Sequence, residues 1–187
     1  IWQAVVEAIN GCLQQAGPVE IAGIAISNQR ESVLVWQRAD GKPLTPVVSW
    51  QDRRSETRCA QLQADGHGAL ITQRTGLPVD PLFPAAKISA LLAALPDGVR
   101  RAEHGELCIG TLDSWLNWQF TAGRTFTTDY ANAARTQLMN LHTADWDPEM
   151  LALFGIPRAA LPDIKPSSGL FGYTRGCPSI PDGLPVM

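Results

Sequence analysis

A seven-residue apolar run restricts the folds open to this chain more than any other feature. Residues 21–27 read Ile-Ala-Gly-Ile-Ala-Ile-Ser. A continuous apolar run of that length predicts a strand buried on both faces, as in a parallel sheet. Ahead of it, Val5, Val6, Ile9, Leu13 and Ala16 recur at helical spacing, and Gly17-Pro18 stops them. That spacing predicts a helix over 1–16. A helix followed by a buried strand points to an α/β fold. The strand then delivers Asn28-Gln29-Arg30-Glu31 to its carboxyl end. Open α/β sheets concentrate their ligand contacts there.

The rest of the chain carries weaker signals of the same kind. Residues 32–37 and 44–50 are β-rich and flank Asp40-Gly41, which predicts a β-hairpin. Residues 53–65 read as a helix stopped by Gly66. Pro84 suits a first helical turn, and Ile88, Leu91, Leu92 and Leu95 follow at helical spacing until Pro96-Asp97-Gly98. Residues 106–109 read as a short strand. Thr111 then caps a helix carrying Leu112, Trp115, Leu116 and Phe120, closed by Gly123. Asp147-Pro148-Glu149 opens a further helix that stops at Gly155. From Pro157 onward, prolines and glycines predict an irregular surface segment or linker.

Composition narrows the function classes. The chain has 187 residues, 45% hydrophobic and 18% charged. That size suits one large domain or two small ones, with enough apolar material for a core. A charged fraction below the roughly 25% usual for soluble domains argues against disorder. A net charge of −3 gives no basic footprint, so no nucleic-acid partner is expected. No apolar run approaches the roughly 18 residues of a transmembrane helix, so no membrane partner is expected either. No charged leader precedes an apolar stretch. The cysteines at 12, 59, 108 and 177 and the histidines at 67, 104 and 142 are scattered, whereas a zinc site needs clustered ligands. Reduced cysteines in a cytoplasmic protein, with no metal site, are the expectation. The chain opens on Ile1 already in a helical pattern and closes on Met187 after a Pro-rich tail, so it reads as a piece of a longer protein.

Two polar clusters could carry chemistry. Arg30 beside Glu31 offers fixed donors next to a strong acceptor, which suits the vicinal hydroxyls of a polyol. The same pair could be a structural ion pair at a strand end. Trp50 precedes Gln51-Asp52-Arg53-Arg54. Its ring could pack on the C–H face of a sugar, or be a half-buried Trp before a charged helix start. Arginine outnumbers lysine twelve to three, from genome composition or from anion and hydroxyl recognition. Residues 76–83, Gly-Leu-Pro-Val-Asp-Pro-Leu-Phe, read as an ordered loop. The chain has no Walker-type phosphate loop, no dinucleotide fingerprint and no nucleophile elbow.

Taken together, the motifs resemble the N-terminal domain of the FGGY carbohydrate kinases, most closely their glycerol kinase-like branch. The matching blocks are IAISNQRESVLVW (24–36), DGKPL (40–44), VSWQDRR (48–54), TGLPVDPLF (75–83), AAK (85–87) and GTLDSWLNW (110–118). TDYANAARTQLMNLHTADWD (128–147) and LFGIPRAALPDIKPSS (153–168) follow in family order. The resemblance implies a ribonuclease H-like (actin-like ATPase) α/β domain, incomplete at its N-terminus, with a β-hairpin insertion. It implies transfer of the γ-phosphate of ATP, with Mg2+, to a hydroxyl of a sugar or polyol by the parent protein. An Asp base and closure of an interdomain cleft would assist. Carried over by motif, Arg30 and Glu31 bind substrate hydroxyls and Trp50 packs on the substrate carbon chain. Leu82 stands where glycerol kinases usually carry a Tyr, which leaves room for a substrate other than glycerol.

The resemblance also implies what lies outside the chain. The family's Asp-x-Gly-Thr phosphate and magnesium turn would precede Ile1. The catalytic Asp, in a Gly-Asp-Gln motif, would follow Met187, as would a C-terminal ATP-binding domain toward which residues 157–187 lead. This chain is then a partial substrate-binding domain, inactive alone and with no ATP or metal bound to it. A homo-oligomer is compatible with this reading. Two other readings remain: a non-catalytic sugar- or polyol-binding or regulatory module, and a purely structural interaction domain.

Overall fold

The computed structural model describes residues 1–187. In chain order its elements are α1 (Trp2–Ala16), β1 (Val33–Gln37), α2 (Glu56–Ala64), α3 (Gly68–Thr75), α4 (Pro84–Ala94), α5 (Gly98–Glu103), β2 (Leu107–Thr111) and α6 (Leu112–Phe120). They continue as β3 (Thr127–Asp129), α7 (Tyr130–Ala133), β4 (Met139–Asn140), β5 (Asp145–Trp146), α8 (Pro148–Phe154), β6 (Asp163–Lys165), β7 (Gly172–Tyr173) and β8 (Pro185–Val186).

The centre is the antiparallel pair β1–β2, in register from Val33 opposite Thr111 to Gln37 opposite Leu107. Strand alternation sends successive side chains to opposite faces, and here both faces are dry. Val33, Val35, Leu107 and Ile109 join the largest apolar cluster, with Ile88, Leu91 and Leu92 of α4 and Met150 and Phe154 of α8. Leu34, Trp36 and Cys108 face the other way, against Trp115 and Trp118 of α6. The close fit needs Gly110, because a Cβ there would come within 2.8 Å of Ser114 Cβ and 3.2 Å of the Trp36 ring. A third cluster joins Phe120, Cys177, Ile180 and Val186 to the apolar stripe of α1 through Trp2, Val5, Ile9 and Leu13.

Several local signals act as expected. Pro84 opens α4 at its first turn. The Asp147 carboxylate caps α8 by accepting from Glu149 N at 2.8 Å and Met150 N at 3.1 Å, and Gly155 ends that helix in the left-handed region. Thr111 occupies the N-cap position of α6 but spends its hydroxyl on Asp113 rather than on the helix end.

Two expectations are corrected, and a third, the hairpin, holds with a less regular return arm. Residues 21–27 do not form a doubly buried strand. Ile24 alone bridges, parallel to Val186. Ile21, Ile24 and Ile26 are half-buried, while Ala22 and Ala25 are exposed. An apolar run becomes a buried strand only where neighbours and covering layers meet it, and residues 185–187 meet only one edge of this one. The doubly buried strands are instead β1 and β2.

The hairpin around Asp40-Gly41 closes, with Gln37 N donating to Lys42 O at 2.9 Å and Val33 N to Val48 O at 3.0 Å. Its return arm makes only isolated bridges at Pro43 and Val48. Pro43 and Pro46 lack the N–H a regular ladder needs.

Residues 157–187 are not an irregular surface segment. β6 pairs in parallel with β3, and β7 pairs with β8. Phe171, Cys177, Ile180 and Val186 are buried. Widely spaced single apolar anchors with short strands carry no periodic signal for a sequence reading to detect.

Candidate functional site

Arg30 and Glu31 form a turn directly before β1. Ser32, next along, is fully buried and donates to Gln29 Oε1 at 2.9 Å. Asn28 Nδ2 donates to Asn132 Oδ1 at 3.1 Å, which ties the turn to α7. Arg30 is exposed, while Glu31 is half-buried. The two do not pair with each other. Glu31 Oε1 accepts from Arg135 Nε at 2.7 Å, with side chains 16% and 29% exposed. The Arg135 guanidinium also lies over the Phe83 ring, 4.9 Å from its centroid. Stacking and the carboxylate together fix the guanidinium plane.

Trp50 is 42% exposed. The segment after it is braced by Arg54, whose guanidinium meets Asp52 at 2.9 Å through both Nε and Nη2. That hydrogen bond holds the Asp52 carboxyl below the usual carboxylate range. The 76–83 loop is likewise built. Asp80 Oδ1 accepts from Leu82 N at 2.7 Å, and Gln137 Nε2 donates to Pro78 O at 2.5 Å. Leu82 is half-buried between buried Pro81 and Phe83.

Lys87 connects these pieces. It stands in the first turns of α4 and is fully buried. Its ammonium donates to Leu82 O at 2.8 Å, Ser49 O at 2.9 Å and Trp50 O at 3.3 Å. Burial pulls Lys87 below the usual lysine range, while the charges of Asp52, Glu31 and Asp80 act to hold it up. Trp50 and Leu82, two of the four residues singled out from the sequence, are thus tied to one cation, which also feels the charge of Glu31. Arg30 stands beside them as an exposed donor.

Sequence reasoning assigned no role to Arg135, Phe83 or Lys87. Arg135 carries no local mark, because its partner is 104 residues away. Lys87 did leave a signal: it is one of three lysines and sits in the otherwise apolar stretch Pro-Ala-Ala-Lys-Ile-Ser-Ala-Leu-Leu.

A second polar region adjoins Asn132. A cavity of about 50 Å³ is lined by Asp113, Asn117, Asp129 and Asn132, among others, and includes none of Arg30, Glu31, Trp50 and Leu82. Burial pushes Asp113 up to about 6, against hydrogen bonds from the Thr111 and Thr128 hydroxyls that pull it down. Burial also pushes Asp129 up, but hydrogen bonds from Ser167 and Asn132 outweigh it and leave that carboxyl low. The chain holds no group of three or more His, Cys, Asp or Glu side chains placed to bind a metal ion. No helix is long and apolar enough to cross a membrane.

The mixed α/β body, with the Arg30–Glu31 turn and the exposed Trp50 at its surface, is of the carbohydrate-kinase type. The chain belongs to the FGGY family of carbohydrate kinases: the model of that family's N-terminal domain matches residues 1–184. Over 174 residues it is 61% identical to the apulose kinase of Pectobacterium atrosepticum, covering 93% of this chain and 35% of that protein. It is 47% identical to the glycerol kinase of Alkalilimnicola ehrlichii, over all of this chain and 38% of the relative. The chain therefore spans little more than a third of the curated relatives it matches. Plasmodium falciparum glycerol kinase, solved with ADP, superposes with a TM-score of 0.92 at 30% identity, over 98% of this chain and 37% of that one. The fold is the ribonuclease H-like, actin-like ATPase class that the motifs implied.

Proposed function

We propose that these residues are the substrate-binding part of a longer kinase that transfers the γ-phosphate of ATP, with magnesium, to a hydroxyl of a sugar or polyol. The observation that carries this reading is that buried Lys87 ties together the backbones of exposed Trp50 and of Leu82 and feels the charge of Glu31, the ion-paired neighbour of exposed Arg30. Glu31 accepts from substrate hydroxyls and Arg30 donates to their oxygens. Trp50 covers an apolar C–H face, and Leu82 supplies an apolar wall. Arg135 orients the Glu31 carboxylate by occupying Oε1, which leaves Oε2 for substrate. By the family resemblance, nucleotide, metal and the Asp base are assigned to parts of the protein outside residues 1–187. These residues alone then transfer no phosphate.

Apulose is the first substrate to test and glycerol the second, following the names of the relatives at 61% and 47% identity. Leu82 favours the first, because it offers no hydroxyl to bond a small polyol. The test is an ATP-dependent phosphotransfer assay on the full-length protein with apulose, glycerol, xylulose and gluconate, with and without magnesium. Magnesium-dependent phosphorylation of one of them is expected. Saturable sugar binding with no phosphotransfer would replace the kinase reading with a non-catalytic binding module.

A further inference from the structure

Lys87 is the one buried cation that joins two separate parts of the candidate site. An ammonium has three N–H donors and no acceptor. Here all three are used, on Ser49 O, Trp50 O and Leu82 O. Two of those carbonyls belong to residues that reach the Lys87 site from different segments, 37 and 5 positions away in sequence. Trp50 remains 42% exposed although its carbonyl is tied down. A lysine needed only to satisfy buried carbonyls could have met them anywhere along either loop. Here two of the three bonds go to the residues whose side chains frame the proposed substrate, and the third goes to Ser49, next to Trp50.

Resting on the kinase reading above, we propose that Lys87 is a positioning residue. Its ammonium sets the spacing between the Trp50 ring and the Leu82 side chain, and with it the affinity for the sugar or polyol and the choice among them. It touches no reacting atom, so its loss acts on substrate binding and leaves the nucleotide side of the reaction alone. A methionine fills a similar volume but donates nothing. An arginine keeps the charge, but its planar fork cannot reproduce three convergent bonds from one point.

The experiment compares Lys87→Met and Lys87→Arg with the wild type in the full-length protein. It reads KM for the sugar, KM for ATP, kcat and the thermal midpoint, with Trp50→Ala as a control. Lys87→Met is expected to raise the sugar KM at least tenfold, with the ATP KM within twofold and kcat changed less than KM. Lys87→Arg is expected to raise the sugar KM at least threefold and to change the ratio of kcat/KM between two sugars. A lower thermal midpoint with an unchanged sugar KM in both variants would make Lys87 purely structural and overturn the proposal. So would failure of both variants to fold. If Trp50→Ala raises the sugar KM and the Lys87 variants do not, only the Lys87 assignment fails. If the wild type phosphorylates nothing, the kinase reading itself is lost.

Discussion

Glu31 and Arg135 lie 104 residues apart in the chain and 2.7 Å apart in space. The pair is half-buried, between the exposed pairs that contribute little and the buried ones whose rupture is severe. Arg135→Met would leave Glu31 without its donor and remove the stack on Phe83. A loss of about 1–3 kcal/mol in unfolding free energy is expected, together with a higher sugar KM in the full-length protein. Urea unfolding and steady-state kinetics check the two effects separately. A variant as stable and as active as the wild type would remove Arg135 from the site.

Arg30 behaves in the opposite way. It is exposed, and its guanidinium makes no salt bridge within the chain. Arg30→Ala should leave stability within about 0.5 kcal/mol of the wild type. It should lower kcat/KM for the sugar about ten- to hundredfold, the worth of one charge-assisted hydrogen bond at about 1.5–3 kcal/mol. If stability falls and kcat/KM does not, Arg30 is a structural residue.

Leu82 gives a test of substrate choice. Lys87 binds the Leu82 backbone carbonyl, so a new side chain there keeps that tether. Leu82→Tyr adds one neutral hydroxyl, worth about 0.5–1.5 kcal/mol, or about two- to tenfold. Glycerol use should rise by that factor relative to apulose, measured as a ratio of kcat/KM values. An unchanged ratio would place Leu82 away from the substrate.

Asp113 makes stability depend on pH in a stated direction. Burial raises its carboxyl from 3.8 to about 6. Between those values the folded chain holds a proton that the unfolded chain has lost, so this group's contribution falls as pH rises from about 4 to 6. The change is up to about 3 kcal/mol. Asp147 works the other way: burial raises it, but hydrogen bonds from Asn140, Met150 and Glu149 win and leave it low. Its contribution is therefore lost only as pH drops below the ordinary carboxylate range. Asp113→Asn should flatten the stability profile between pH 4 and 7, read from urea midpoints across that range. A variant with the wild-type profile would show that Asp113 is not the group responsible.

Of the stretches that read as strands in the sequence, three separate what was legible from what was not. The runs read at 32–37 and 106–109 became the doubly buried pair β1 and β2, because α4 and α8 cover one face and α6 the other. The run at 21–27, the more apolar in appearance, kept one bridged position and half-exposed side chains. Nothing within either stretch distinguishes these outcomes, because burial depends on which neighbours arrive from elsewhere in the chain.

By itself the amino-acid sequence determined the features that act over a few residues: the Pro84 helix start, the Asp147 cap and the Gly155 stop; it put Arg30 and Glu31 after a strand at 21–27, where the structure has them in a turn ahead of β1. Those rest on dihedral preference and on hydrogen bonds to near neighbours. The motifs in their order also carried the family. Tertiary structure alone decided that Glu31 pairs with Arg135 and not with Arg30, and that Lys87 is buried under three carbonyls. A charged group takes whichever partner the packed core brings within about 3 Å, and strips away the water that would otherwise satisfy it.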